Sequence, residues 1–171
     1  MRLFVAVRPP AVALADAAAA VDAARAVAPG PRWVPPDRWH LTLAFHGEVP
    51  DADVDRLVER TARRLRGAEA LELALTGAGA FSRRAVWLGV TGDVAALRSL
   101  AAALVPGGRP YRPHLTVARL RGDTDPSPTV AALSDYAGPT WTAGEVHLVR
   151  SRLGPSPAYD DVATWPLAPR P

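Results

Sequence analysis

Residues 39–47 read WHLTLAFHG, and residues 113–122 read PHLTVARLRG. The pattern His, apolar, Thr, apolar, Ala therefore occurs twice, at His40–Ala44 and at His114–Ala118, with the two histidines 74 positions apart. Short alternation of apolar and polar residues marks a half-buried β-strand. Along a strand, residues two apart share a face. His40, Thr42 and Ala44 are expected to point one way and Leu41 and Leu43 the other, with His114, Thr116 and Ala118 divided from Leu115 and Val117 in the same manner. Each strand then offers an apolar face for helices to cover and a polar face with one imidazole beside one hydroxyl. The alanines are expected to leave room on the polar face.

Outward from the first motif, the spacing predicts a strand over Arg2–Arg8, stopped by Pro9 and Pro10, and an Ala-rich helix over Val12–Val27 that ends at Pro29-Gly30-Pro31. A Pro-rich loop leads into the motif strand Trp39–Phe45. Asp51–Arg66 carries apolar residues at 54, 57, 58, 62 and 65, with acids in its first turn and arginines in its last, which predicts a helix. Strands are predicted over Leu71–Thr76 and Ala85–Thr91, around a turn at Gly77–Arg84. A helix over Val94–Leu104, a loop through Pro106–Pro110 and the second motif strand Arg112–Arg119 repeat the order helix, Pro-rich loop, motif strand. A short helix at Thr129–Tyr136 and closing strands at Trp141–Leu153 and Tyr159–Leu167 complete the chain. Helices and strands alternate irregularly, so the fold class is α+β rather than a repeated βαβ series.

The 171 residues, 49% of them apolar, suit one domain spanning 1–171 with a core that needs no external staples. The 20 basic residues are all arginine, and the formal net charge is +3. Such wholesale use of Arg reads first as compositional bias, so position rather than number must decide what each arginine does. With no cysteine, disulfides, thiolate metal sites and thiol nucleophiles are excluded. Charges at Asp16, Asp22 and Arg25 argue against the Ala-rich stretch crossing a bilayer, and no signal region opens the chain. A soluble, cytoplasmic monomer is expected.

If the two polar faces meet, two imidazoles and two hydroxyls converge. With an ordinary pKa near ~6.5, one imidazole can be neutral while the other is protonated, supplying base and acid together. Phosphodiester cleavage needs both, and threonine hydroxyls can donate to the non-bridging phosphate oxygens. One such motif alone would be no more than a half-buried His beside a β-favouring Thr. Two near-identical copies in matching contexts point to His40 and His114 as a catalytic pair. His40, His46 and His114 are three potential zinc ligands, but no carboxylate or cysteine accompanies them, and no metal or other cofactor is expected. His147 lacks a following Thr and is expected on a strand surface, and Trp39 and Trp87 in core or rim packing.

At these residues, and at RLFVAV, FSRRAVWLGV and VHLVRSRLG, the chain resembles the two-histidine (2H) phosphoesterases, specifically the RNA 2′,3′-cyclic phosphodiesterases, also called 2′-5′ RNA ligases. The resemblance implies a bilobal, pseudo-two-fold fold in which two antiparallel sheets form a V-shaped cleft with helices outside. It implies hydrolysis of a terminal 2′,3′-cyclic phosphate on an RNA 3′ end or a nucleotide to a 2′-phosphomonoester. The alternatives within the same chemistry are 2′-5′ ligation and another cyclic phosphate such as that of ADP-ribose. From another class comes a non-catalytic RNA-end binder. Carried over by position, His40 is the acid and His114 the base, Thr42 and Thr116 grip the phosphate, Arg119 contacts it, and Phe45 stacks on the base. Strict alternation puts Phe45 and Arg119 opposite their histidines, so each strand must end or bulge before them, and Phe45 could instead be core. Arg83, Arg84, Arg109 and Arg112 are candidates for the cleft mouth or for plain solvated charge.

Overall fold

The computed structural model describes residues 1–82, 84–108, 110–152 and 158–170. In chain order these form β1 (Arg2–Val7), α1 (Ala11–Val27), β2 (Arg32–Trp33), β3 (Leu41–Glu48), α2 (Val54–Leu65), β4 (Leu71–Phe81), β5 (Ala85–Gly92), α3 (Val94–Leu104), β6 (His114–Arg119), α4 (Ser127–Leu133), β7 (Trp141–Ala143), β8 (Glu145–Arg152) and β9 (Ala158–Pro166). The α+β class is as expected.

All described strand pairs are antiparallel, in the order β7-β4-β5-β6-β3-β1-β8-β9, with the short β2 on the edge of β6. The two expected sheets are the two four-stranded halves of this order, and they join through one residue pair, Leu41 opposite Leu115. Each is the residue just after a motif histidine. Exchanging β3 with β6, β1 with β5, β8 with β4 and β9 with β7 maps the order onto itself. The halves do not follow the chain: β8 and β9, from its end, complete the half that β1 begins.

The apolar face carries the core. Leu3, Val5, Leu41, Leu88, Leu115, Val117 and Leu148 are wholly buried there beneath helices. Helix α1 buries Ala13, Ala17, Val21 and Ala24, an i, i+4, i+8, i+11 stripe made mostly of alanine that lets it lie close. Helix α2 buries Val54, Leu57, Thr61 and Leu65, so the stripe expected through 58 and 62 is turned by part of a residue and includes a buried threonine. The opposite, concave face holds a small cluster of Phe4, Ala6 and Val149, with Tyr159 packed on it. Among the described residues no helix is long and apolar enough to cross a membrane.

Two differences from the sequence-based expectation have local causes. Strand β4 runs through the expected turn to Phe81 because Gly77, at φ +56°, takes up a register shift against β5. Gly79 then lets Trp87 lie flat across β4, since a Cβ there would stand 2.4 Å from its ring. The single closing strand expected from Trp141 is two, parted at Gly144: β7 pairs with β4 and β8 with β1, so the chain crosses between halves there. The remaining end of that strand, Leu153, lies outside the described residues.

Candidate active site

Each motif strand bulges three residues after its histidine. On β3, Thr42 stands opposite Ala6 but Ala44 opposite Val5, so Leu43 is the extra residue. On β6, Thr116 stands opposite Trp87 but Ala118 opposite Val86, so Val117 is the extra residue. A bulge swaps the face of everything beyond it. Phe45 and Arg119 therefore return to the side of the histidines, as the carried-over roles required. The same swap corrects the placing of the alanines: Ala44 and Ala118 turn inward and are buried in the core, so neither lines the catalytic cavity.

The two histidines are fixed in the same way. The Nδ1–H of His40 donates to the Arg38 carbonyl at 2.7 Å, and that of His114 to the Arg112 carbonyl at 2.7 Å. A carbonyl only accepts, so Nδ1 carries the proton in both rings and Nε2 is left for acid or base work. Residues that line one cavity of about 390 Å³ include both histidines, Thr42, Thr116, Phe45 and Arg119. All six sequence-derived site residues are thus brought together. Phe45 is 56% exposed, which settles against its being core.

The surroundings of the two rings differ. Phe4 stacks on His40 at 4.7 Å between centroids, and Tyr159 meets the ring edge-on at 5.3 Å. His114 has the Phe81 ring at 4.7 Å, perpendicular to it, and Trp87 farther off. Burial is the main influence on both, disfavouring the charged form. It carries the His40 pKa down from the ordinary 6.5 to about 4, partly offset by the bond to Arg38 and reinforced by the charges of Arg8, His114 and Arg119. The His114 pKa is lowered too, by burial and by Arg119, against the bond to Arg112. The charge of Arg119 acts on both rings.

Several cavity residues escaped the sequence reasoning: Arg2, Phe4, Arg38, Phe81, Ser151 and Tyr159. Arg38 had a legible signal, since an arginine precedes each motif histidine by two. Its Nε is buried with no hydrogen-bond partner among the described residues. The guanidinium of Arg2 lies 5.0 Å over the Phe45 ring. Phe4, Ser151 and Tyr159 arrive from strands whose neighbours in space are remote in sequence.

Other candidates fall elsewhere. His46 lies beyond the β3 bulge, where its own burial, reinforced by the charges of Arg60 and Arg64 on α2, lowers its pKa. It does not share the face of His40. Among the described residues no three His, Cys, Asp or Glu side chains group as a metal site. His147 is only 14% exposed rather than on the surface, with Nδ1 3.3 Å from the Asp161 carboxylate. Trp39 is core, its indole N–H donating to the Val34 carbonyl at 2.8 Å. Arg84 is exposed and outside the cavity lining. Arg83 and Arg109 lie outside the described residues.

The sequence profile of the 2′-5′ RNA ligase superfamily matches residues 11–155. An RNA 2′,3′-cyclic phosphodiesterase of Geobacillus stearothermophilus is 32% identical over 149 residues, covering 79% of this chain but 47% of that protein, so the chain spans about half the length of this relative. An RNA 2′,3′-cyclic phosphodiesterase of Methanothermobacter thermautotrophicus is 33% identical over 151 residues, 80% of this chain and 82% of that one. The crystal structure of E. coli LigT complexed with ATP superposes with a TM-score of 0.75 and 28% identity, covering 98% of this chain and 97% of that one.

Proposed function

This chain belongs to the 2′-5′ RNA ligase superfamily, and from that membership and the paired imidazoles we propose that it hydrolyses the 2′,3′-cyclic phosphate of RNA 3′ ends to a 2′-phosphomonoester, without a metal ion. The observation that carries the proposal is the matched pair of Nδ1–H bonds to backbone carbonyls, which leaves an Nε2 of each motif histidine for proton transfer beside one cavity. Water attacks phosphorus as its proton passes to Nε2 of His114. The bond from phosphorus to O3′ breaks, and Nε2–H of His40 protonates that oxygen. The products are a 3′-hydroxyl and a 2′-phosphate, and the proton has moved from one imidazole to the other. Thr42 and Thr116 donate to the non-bridging oxygens, Arg119 balances their charge, and Phe45 stacks on the base. Each histidine contributes about 10²–10⁴-fold, roughly 3–5 kcal/mol of barrier.

A second assignment exchanges the two histidines, and the lowered pKa of His40 favours it, because a ring that resists protonation is the natural base. A cyclic substrate whose 3′-oxygen is replaced by sulfur separates the two, since thiolate leaves without a proton. It restores turnover only to the variant that lacks the acid.

One chain supplies the whole constellation, so the proposal takes it as a monomeric single domain of two pseudo-symmetric lobes, one motif in each, acting on RNA in the cytoplasm. The test is to incubate the protein in EDTA with RNA ending in a cyclic phosphate and to map the product phosphate. A 2′-phosphate is expected. A 3′-phosphate, dependence on added metal, or tight binding with no product overturns the proposal. A joined strand with a 5′-hydroxyl RNA, or preference for ADP-ribose cyclic phosphate, redirects it to the corresponding substrate.

A further inference from the structure

A second, larger groove of about 1150 Å³ opens from the catalytic cavity and shares Thr42, Phe45, Phe81 and His114 with it. Its far wall is the end of α3, at Ala101, Ala102 and Val105, and the segment that leads into β6, at Tyr111 and Arg112. Three properties suit it to a nucleotide. It is lined by aromatic and aliphatic carbon, with exposed Phe45 standing where the two spaces meet. Neither space has an Asp or Glu among its described lining residues, although the chain has 17 acids. Tyr111 carries a buried hydroxyl with no hydrogen-bond partner among the described residues, a polar group that a ligand could satisfy.

Size and charge decide the occupant. Sites for small organic ligands run to about 300–1,000 Å³, so the catalytic cavity suits one nucleoside, while the groove adds room for another. On β8 and β9 the cavity is bounded by Ser151 and Tyr159, and the neighbouring Asp160 and Asp161 carboxylates are already paired with Arg152 and Arg8. On the groove side Arg112 offers a cation with no Asp or Glu among the described lining residues, which suits a phosphodiester backbone.

We propose that the groove between β3, the end of α3 and Tyr111 seats the nucleotide next to the terminal one, making chain ends of two or more nucleotides better substrates than mononucleotide cyclic phosphates. The inference rests on the reaction proposed above and adds to it a second subsite and a preference for chain length.

The experiment compares kcat/KM for adenosine 2′,3′-cyclic phosphate with that for a diadenylate ending in the same group, in the wild-type protein and in Val105→Glu and Ala102→Trp. In parallel it compares Kd for adenosine 3′-phosphate and for the diadenylate ending in a 3′-phosphate. The dinucleotide is expected to be favoured by about tenfold or more, toward the low end of one base stack. Both variants, one placing a negative charge in the groove and the other filling it, should bring the ratio towards one. A wild-type ratio near one, or a ratio unchanged in both variants, overturns the inference. Absence of turnover on either substrate overturns the proposed reaction alone, and the ratio of the two Kd values then decides the groove by the same criterion.

Discussion

Replacing His40 by glutamine should change how stability depends on pH, by an amount set by its surroundings. In the folded protein this imidazole titrates at about 4 rather than the ordinary 6.5, chiefly because Phe4, Tyr159 and the sheet exclude water from it. Between those two values the unfolded chain binds a proton that the folded protein refuses, so acidification favours unfolding. The contribution is small at pH 7, grows as pH falls through 6.5, and is complete below 4. At about 1.4 kcal/mol per pH step, this site alone costs about 2 kcal/mol between pH 7 and pH 5. The other ionisable groups are common to both proteins, so the difference between the two curves isolates position 40 to first order. The assay is urea unfolding of wild type and His40→Gln at closely spaced pH values, read as the difference between the two curves. That difference should shift in favour of the variant by about 2 kcal/mol from pH 7 to pH 5. Parallel curves would refute the argument that burial holds His40 neutral.

Three further outcomes follow from the geometry. Thr42→Val and Thr116→Val, each close in shape to the original, should lower kcat for the cyclic phosphate by about 10²-fold with little change in Tm, as loss of a donor to developing charge does. Phe45→Ala should raise KM by about tenfold through the lost base stack. Because Phe45 is largely exposed, with the Arg2 guanidinium over its ring, Tm should stay within about 3 °C. Gly79→Ala should instead lower Tm by roughly 4–8 °C, about 2 kcal/mol, because its new methyl meets the Trp87 ring. Calorimetry and steady-state kinetics check all three.

What could be read from the sequence divides at the bulges. The first three positions of each motif obey simple alternation, so the faces of His40, Leu41, Thr42 and of His114, Leu115, Thr116 follow from the residues alone. Beyond them the face depends on Leu43 and Val117, which are ordinary strand residues and carry no mark of being extra. The need for a bulge was visible only because Phe45 and Arg119 had to reach the cleft; that Ala44 and Ala118 would turn inward was not. Partners distant in sequence were the other blind spot. Phe4 stacks on His40, and Tyr159 closes on it from β9, because β8 returns to pair with β1. Nothing local in Phe4 or Tyr159 announces that contact. The break at Gly144 was hidden for the same reason: the stretch from Trp141 reads as continuous β, and only the change of partner from β4 to β1 divides it.

The account turns on His40 and His114 working on one phosphate as a unit, and a double-mutant cycle in kcat on RNA ending in a 2′,3′-cyclic phosphate tests that most directly. His40→Ala and His114→Ala should each lose about 10²–10⁴-fold in EDTA, and the double variant should be scarcely worse than either one, because half of an acid–base pair is of little use alone. Losses that multiply in the double variant, or turnover that survives either substitution intact, would contradict it.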